Sequence, residues 1–391
     1  MNNKKKKHMT MDDPYDKFPV VSMVEYMHLR APLYIGRIGD GTSMHDGIYT
    51  LIRKIIESRL EEYRAKLLDT IDVYTKYDEK RVSIRDNGTA INLERLIEYI
   101  HYSNSKKPKR QISIEYDFWY VVVNGMSKYF EIHSYQDGIA RRVVSEYGKI
   151  TCDKSFPTQE KNGTYVCFEP DETIFGDYKY YSFLIYEVLD SFSYLTSGLT
   201  LRYNDALIEA PNGLADLIRY TIYSSHALYP IIHFVGENIE IAFTHVNDPL
   251  LVQESSTYLN RWKSVPNEHS NESRIFLSFV NGTITELGGT HQESLITGIV
   301  KTMRDYYGRN YSPNDILNGI VAAISIWVKE PIFADAGKYK LGGPNYSTDG
   351  KNIEQTIGDF IKHKLNDYLA SHSEVSETIK HLIEKRDELT T

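Results

Sequence analysis

The sequence has very few cysteines and no long apolar run, and both absences narrow the classes of protein to which it can belong. Only Cys152 and Cys167 occur among the 391 residues. Two cysteines are too few for a disulfide scaffold, so we expect a reducing, cytoplasmic environment. The longest apolar stretches, such as 319–328, are far shorter than the roughly 20 residues that a membrane-spanning helix needs. No apolar segment follows the basic residues Lys4–Lys7, so we expect neither a secretory signal nor membrane association.

An excess of positive charge is missing as well. The 45 lysines and arginines are outnumbered by 53 aspartates and glutamates, which gives a formal net charge of −8. A general nucleic-acid binder needs concentrated basic residues to neutralise phosphates, so we expect DNA to be contacted only indirectly. The basic run 106–110 is either a solvated loop or a phosphate-contacting loop. Residues 1–10 are either a natural basic arm or a tag remnant.

The hydrophobic pattern predicts an α+β protein with two domains. Apolar residues recur at helical spacing from His45 to Leu60, which predicts one long amphipathic helix. Alternating patterns and turn residues predict two hairpins and a further strand, at 71–84, 129–144 and 164–168. Further helices are predicted at 92–102, 120–129 and 180–195.

The pattern starts afresh after residue 228, which indicates a second domain. Strands are predicted at 231–234, 239–244, 275–281 and 321–328, and helices at 293–307 and 352–386. We therefore predict a flexible basic N-terminal arm at 1–19, an α/β sandwich at 20–225, and a second α/β domain with a helical tail at 226–391.

Several motifs resemble those of one known family. They are Leu33–Gly41, Gly163–Phe175, Phe279–Gly282, Gly288–His291 and Asp315–Phe333. In this order they resemble motifs of the B subunits of gyrase and topoisomerase IV, and the resemblance covers residues 20 to 370. It implies a GHKL-type α/β sandwich followed by a ribosomal-S5-like transducer domain with a helical C-terminal tail.

The resemblance also implies a site chemistry. In this family, ATP makes two B subunits clasp, and hydrolysis reopens the gate through which a DNA duplex passes. A glutamate acts as general base and an asparagine holds Mg²⁺. An aspartate and a threonine contact the adenine, a glycine-rich lid wraps the phosphates, and a transducer lysine reaches the γ-phosphate.

Two of these positions carry different residues in this chain. Lys54 stands where the general base belongs, and a protonated lysine cannot take a proton from water at neutral pH. Ser58 stands at the position of the magnesium-binding asparagine and lacks its amide carbonyl. The alternative interpretation is that Lys54, Glu57 and Glu61 form a solvated helix face with one i, i+3 ion pair.

Other positions are retained. Asp86 stands at the adenine-binding aspartate, Thr164 at the adenine-binding threonine, and Lys338 at the transducer lysine. After Asp86, however, Thr89 replaces the family's arginine and Ala90 replaces its second glycine. A plain turn role for Asp86 and a plain strand role for Thr164 therefore remain open.

The glycine-rich lid is replaced by the aromatic run Tyr116–Tyr120. Bulky aromatic residues cannot bring several backbone N–H groups onto a triphosphate. We predict that Phe118, Trp119 and Tyr120 form a hydrophobic plug over the pocket, with ordinary core packing as the alternative. Beside Lys338, Ala336 and Gly337 replace two polar residues of the family's loop.

These substitutions predict a catalytically degenerate, pseudo-ATPase relative of the topoisomerase B subunits. We expect no intact catalytic set, no metal ligands, no required cofactor, and weak binding of ATP with magnesium at most. We expect a homodimer, or a complex with a topoisomerase subunit or another protein. The alternatives are an ATP-dependent topoisomerase subunit of split type and a nucleotide-binding sensor without turnover. The chain ends at Thr391, before any DNA-cleavage module, so it is either a stand-alone protein or a piece of a longer one, and the loss of the site motifs favours the first.

Overall fold

The computed structural model describes most of the chain: residues 22–76, 80–103, 118–222, 226–249, 252, 273–334, 338–343 and 352–390. It divides into two compact units. One comprises Met1–Ile185 with Arg202–Asp205, and the other Tyr186–Leu201 with Ala206–Thr391. The boundary predicted at residue 225 stays a prediction, since 223–225 are not among the described residues. The predicted arm and the basic run 106–110 also lie outside them.

An eight-stranded sheet accounts for the N-terminal strands. In chain order these are β1 (Thr70–Thr75), β2 (Val82–Asp86), β3 (Ser127–Gln136), β4 (Ile139–Glu146), β5 (Lys149–Pro157), β6 (Gly163–Pro170), β7 (Thr200–Tyr203) and β8 (Ala206–Ile208). Across the sheet the order is β5-β4-β3-β6-β2-β1-β7-β8. The two predicted hairpins, β1–β2 and β3–β4, are confirmed. Strand β5 was missed, because this edge strand is largely exposed and shows no alternation of apolar residues.

The described residues of the N-terminal half also form a set of helices, two of which carry candidate residues. They are α1 (Met23–Leu29), α2 (Ala31–Ile35), α3 (Gly47–Glu57), α4 (Leu60–Arg64), α5 (Leu93–Ser103), α6 (Phe118–Gly125), α7 (Glu172–Phe175) and α8 (Ser182–Ser193). Helix α3 buries its apolar residues almost completely, Ile48, Leu51 and Ile52 among them, which is what the helical spacing in the sequence predicts.

Three of the predicted helices differ from those in the structure. The one predicted at 352–386 is divided at His372 into two helices. The helix predicted to run from His45 to Leu60 breaks after Glu57, and α4 starts anew at Leu60. At the break, the Ser58 hydroxyl donates to the carbonyl of Ile55, a local bond that competes with regular helical bonding. The helix predicted at 120–129 ends at Gly125, because its last residues belong to strand β3.

The loop before α3 is built around Asp46, which is fully buried. Its carboxylate accepts hydrogen bonds from the backbone N–H of Gly41 (2.9 Å) and of Ser43 (3.2 Å). Gly39 has a positive φ of 63°, and a Cβ there would lie 2.0 Å from the Asp46 carboxyl carbon. Glycine is therefore required at position 39, and the loop fixes the first turn of α3.

The C-terminal unit contains a five-stranded mixed sheet. Its strands are β9 (Ile232–Val235), β10 (Ile239–His245), β11 (Ile275–Val280), β12 (Thr283–Ile284) and β13 (Ile320–Ile326), in the order β12-β11-β13-β10-β9. Only β11 and β13 among its described pairs run parallel. The helices of this half are α9 (Leu214–Thr221), α10 (Thr290–Tyr307), α11 (Pro313–Leu317), α12 (Ile353–Ser371) and α13 (Ser373–Thr390). The predicted α+β class is confirmed.

Long helices pack beside this second sheet. The core of the unit is formed by buried side chains of β9, β10 and β13 together with Leu295, Ile299, Ile357 and Ile361 of α10 and α12. No helix in the part of the chain that the structure describes is long and apolar enough to cross a membrane.

Candidate functional site

Lys54 lies on α3 and is mostly enclosed. Its ammonium nitrogen is 2.6 Å from Glu57 Oε2, and the side chains of the two residues are only 15% and 12% exposed. The same nitrogen lies 5.1 Å from the centre of the Trp119 ring, within cation–π range. The i, i+3 ion pair is present as predicted, but a solvated face is wrong for Lys54 and Glu57; only Glu61 is exposed.

Ser58 is buried directly after the end of α3. Its Oγ lies 2.7 Å from the carbonyl oxygen of Ile55, to which it donates, and 3.4 Å from the hydroxyl oxygen of Tyr120. Because the hydroxyl proton is used by the chain itself, this side chain offers a ligand only the lone pairs of its oxygen.

A buried arginine that the sequence reasoning missed lies beside Ser58. The guanidinium of Arg59 forms a two-pronged ion pair with Glu62, with both N–O distances 2.9 Å. Its Nη2 also donates to Asp86 Oδ1 at 3.0 Å and to the carbonyl of Thr89 at 2.9 Å. The Arg59 side chain is only 5% exposed. The available signal was an arginine three residues before a glutamate, which does not distinguish Arg59 from charged neighbours such as Glu61 and Arg64.

Asp86 ends strand β2 and is almost completely buried. Besides Arg59, the backbone N–H of Gly88 donates to Asp86 Oδ1 at 2.9 Å. Burial raises the pKa of the Asp86 carboxyl above its usual value, while the charge of Arg59 opposes that shift. The carboxylate therefore has a structural role in the turn, in addition to any role toward a ligand.

Thr164 on β6 lies directly opposite Asp86 in the sheet. It is fully buried, and its Oγ1 has no hydrogen-bond partner. A buried hydroxyl without a partner is costly and uncommon. The pair of Asp86 and Thr164 thus brings an acceptor and an unused hydroxyl together at one point of the sheet.

The aromatic residues at the start of α6 contact the two substituted positions. Trp119 covers Lys54, and the Tyr120 hydroxyl approaches Ser58. Phe118 packs edge-on against Trp119, with ring centres 5.5 Å apart. Residues 104–117, and with them Tyr116 and the remainder of the predicted lid, lie outside the described residues.

Lys338 belongs to the C-terminal unit. Its φ is +62°, a conformation that costs a non-glycine residue energy, and its ammonium lies 5.7 Å from the centre of the Phe333 ring. The following loop is tied to the Gly288–His291 motif, since Leu341 donates to the carbonyl of Gly288 at 3.1 Å. Ala336 and Gly337 are not among the described residues.

The residues that the structure describes contain no group of three or more His, Cys, Asp or Glu side chains that could hold a metal ion. Both cysteines are free thiols. Cys152 on β5 and Cys167 on β6 are separated by two intervening strands, or about 14 Å at the usual strand spacing. These two residues therefore cannot form a disulfide with each other.

The substituted positions do not fit ATP with magnesium. Mg²⁺ needs oxygen ligands. Position 54 presents an ammonium, the carboxylate of Glu57 beside it is paired with that ammonium, and position 58 presents a hydroxyl in place of the amide carbonyl that the resemblance implies. The unpartnered Thr164 hydroxyl fits a ligand that offers a hydrogen-bond acceptor. The arrangement can accommodate polar contacts at the Asp86 end, and at the Lys54 end the carboxylate of Glu57 is engaged by the Lys54 ammonium.

The fold of this chain matches that of solved gyrase B structures. The solved structure of the 43K ATPase domain of Thermus thermophilus gyrase B, in complex with an aminocoumarin, superimposes with a TM-score of 0.71. The superposition covers 95% of this chain and 96% of the gyrase B domain, and the two sequences are 18% identical. At this identity the match shows that the two proteins share a fold and nothing further.

The sequence comparisons agree with the fold. Residues 213–389 match the family described as DNA gyrase B. The chain is 30% identical over 357 residues to the B subunit of DNA topoisomerase 4 from Borreliella burgdorferi, and the match covers 89% of this chain and 55% of that protein. It is 22% identical to the B subunit of DNA gyrase from Thermotoga maritima, over 93% of this chain and 58% of that protein.

This chain therefore resembles type II topoisomerase B subunits over their ATPase-plus-transducer region. It spans a little over half the length of the curated relatives that it matches.

Proposed function

We propose that this chain is a catalytically degenerate, pseudo-ATPase relative of the topoisomerase B subunits. It acts in the cytoplasm through dimerisation, or by binding a topoisomerase subunit or another protein, and contacts DNA only indirectly. The observation that carries the proposal is the pairing of Lys54 with Glu57 under the ring of Trp119. A cation held by its own carboxylate cannot serve as a general base.

The proposal follows from independent requirements for hydrolysis. Attack by water needs a base, a metal and phosphates that are held in line with each other. Lys54 stands in place of the general base, and Ser58 is a weaker metal ligand than asparagine. Trp119 packs on Lys54, and the Tyr120 hydroxyl lies beside Ser58. Lys338 would then have no γ-phosphate to stabilise. Replacing one missing part therefore does not restore the others.

An ATPase assay on the purified chain tests the proposal. We expect no hydrolysis above background in the unmodified protein and none in Lys54→Glu. Lys338→Ala serves as the matched control, because a true site of this family would lose activity with it. If the unmodified protein hydrolyses ATP and Lys338→Ala abolishes that activity, the chain is a split-type ATPase subunit. If Lys54→Glu alone restores turnover, the degenerate interpretation is wrong.

A sensor that binds a small ligand without turnover is the second candidate. The unpartnered, fully buried Thr164 hydroxyl favours it. Binding to the native state raises the melting temperature by mass action, so a thermal-shift screen with nucleotides and nucleosides measures it directly. A ligand-dependent shift without hydrolysis would favour the sensor over a purely structural partner.

A further inference from the structure

The edge strand β9 lacks the features that protect the other described sheet edges. Strand β5, at one edge of the eight-stranded sheet, carries Lys149, Asp153 and Lys154 and has a bulge in its pairing with β4. The edge strands β8 and β12 have only three and two residues. Charges, bulges and short length are the usual means by which an edge avoids pairing with another chain. Strand β9 pairs regularly with β10 and contains no proline, lysine, aspartate or glutamate.

The open edge of β9 presents backbone groups at alternate residues. At the end of the β9–β10 hairpin, the N–H of Gly236 donates to the carbonyl of Ile239 at 2.8 Å. Hydrogen-bonded and non-hydrogen-bonded pairs alternate along an antiparallel ladder, so His233 and Val235 occupy non-hydrogen-bonded positions of the register. Their N–H and C=O groups therefore point away from β10, toward an edge at which no described strand pairs.

The side chains around His233 are symmetric in character. Its two neighbours are Ile232 and Phe234, and the next residues outward are Ile231 and Val235. In an antiparallel pair of two copies with the two-fold axis at His233, Ile232 lies opposite Phe234 and Ile231 lies opposite Val235. Every cross-strand pair except the central one is then apolar, and such pairs stabilise a sheet. The same register brings the outward backbone groups of the two His233 residues together as a hydrogen-bonded pair.

A groove beside β9 has room for a second strand. Its volume is about 700 Å³, and its lining includes Ala215, Ile222 and Ile231. The Val235 side chain is 62% exposed, and the alternation of a strand places it on the same face of the sheet as Ile231. In the symmetric pair, Val235 of the second copy packs against Ile231 at this groove, which removes apolar surface of both copies from water.

The central histidine has already made its hydrogen bond within its own copy. Nε2 of His233 donates to Glu240 Oε1 at 2.8 Å, and the same oxygen accepts from the backbone N–H of Leu214 at 2.7 Å. The imidazole is therefore held on its own sheet and needs no polar partner across the axis.

We propose that two copies of this chain associate through β9. Residues 231–235 of each copy pair antiparallel about an axis at His233 and join the two five-stranded sheets edge to edge. The inference rests on the dimerisation in the proposed function and names the surface that carries it.

Light scattering of the full chain over a concentration series tests this surface. The wild-type mass should rise toward that of a dimer. Val235→Lys should raise the dimer dissociation constant at least about ten-fold, because it places an unpaired ammonium opposite Ile231. Val235→Pro should do the same, since proline removes the outward N–H and leaves the bonds to β10 intact. The matched control is Leu207→Lys, at a 51% exposed residue of the edge strand β8, and it should dimerise like wild type.

A cysteine at the axis tests the register. His233→Cys places two thiols opposite each other in a hydrogen-bonded pair with Cα atoms about 5.5 Å apart, a distance that suits a disulfide. Mild oxidation should give a covalent dimer of His233→Cys. Val235→Cys should form none, because its thiol lies opposite Ile231. The wild-type chain treated in the same way controls for cross-linking through its two free cysteines.

Three results overturn the inference: a wild-type chain that stays monomeric, a dimer that persists in both Val235 variants, or equal cross-linking of His233→Cys and Val235→Cys. Where Val235→Pro is unfolded by circular dichroism, Val235→Lys and the cysteine pair decide. The two proposals fail separately. ATP hydrolysis by the wild-type chain contradicts the proposed function and says nothing against β9, whereas loss of the β9 surface leaves association through another surface or with another protein.

Discussion

Two enclosed cations, Lys54 and Arg59, give the candidate site its chemistry, and each is held by a glutamate three residues further along the chain. The consequence of Lys54 follows from its residue type, since an ammonium cannot act as a base at neutral pH. The consequence of Arg59 depends on its contact with Asp86, which is 27 residues away in sequence. The effect of Lys54 can thus be inferred from its residue type alone, whereas the effect of Arg59 depends on a residue that is distant in the sequence.

Buried histidines make the stability of the chain depend on pH. His291 is fully buried, with Nδ1 unpartnered and Nε2 3.1 Å from the Thr285 hydroxyl. Burial lowers the pKa of His291 from 6.5 to about 3, and burial does the same for the pKa of His245. Both side chains therefore stay neutral in the folded protein at pH values where the unfolded chain takes up protons.

We predict that the free energy of unfolding falls as the pH is lowered from about 6.5 toward 3. The unfolded state binds more protons in this range, so acid favours it. The uptake of a proton by His291 in the unfolded state should lower the free energy of unfolding by about 2 kcal/mol between pH 7 and pH 5. Denaturant unfolding at pH 7 and pH 5 should show that His291→Gln loses about 2 kcal/mol less than wild type between these pH values. His245 supplies a remaining part of the pH dependence.

The exposed His363, whose side chain is 74% accessible, provides the matched control for this experiment. His363→Gln should leave the difference between pH 7 and pH 5 unchanged. An equal pH dependence in wild type and His291→Gln would contradict the role assigned to His291.

At the scale of elements, the packing of α10 on α12 depends on one glycine. A Cβ at Gly298 of α10 would lie 2.9 Å from Ile361 Cγ2, and 3.5 Å from Ile361 Cβ. A Cβ at Gly358 of α12 would meet nothing within 4 Å. An alanine at Gly358 therefore changes only the helix propensity, whereas an alanine at Gly298 also changes the packing between the two helices.

We predict opposite effects of alanine at these two glycines. Gly358→Ala should raise the free energy of unfolding by about 0.5–1 kcal/mol, because alanine is the better helix former. Gly298→Ala should lower it by about 1 kcal/mol, since overpacking typically costs 1–3 kcal/mol and outweighs the gain in propensity. Urea unfolding measures both. Equal stabilisation by the two substitutions would show that the helices separate without cost.

At the scale of the whole molecule, the proposed homodimer should form without a nucleotide. The resemblance implies that ATP drives the clasp in the family, whereas here the positions for base and metal carry Lys54 and Ser58. We expect light scattering to give the same mass with and without a non-hydrolysable ATP analogue and Mg²⁺. Lys338→Ala should leave that mass unchanged. A shift between monomer and dimer that requires the nucleotide would refute this prediction.

The sequence by itself determined the elements whose signals are local. The apolar spacing of α3, the two hairpins and the ordered motifs from Leu33 to Phe333 predicted the fold class and the family resemblance, because helical and strand periodicity reflect which face is buried. The change of chemistry at position 54 was also readable, since the charge of a lysine at neutral pH does not depend on the fold.

Only the tertiary structure decided the features that join distant parts of the chain. It placed Arg59 on Asp86, Trp119 on Lys54, and Thr164 opposite Asp86 with its hydroxyl unpartnered. Burial and hydrogen-bond partners of this kind depend on strand register and helix packing between residues tens of positions apart. A local pattern does not carry that information, and for the same reason the enclosed Lys54–Glu57 pair could be mistaken in the sequence for a solvated face.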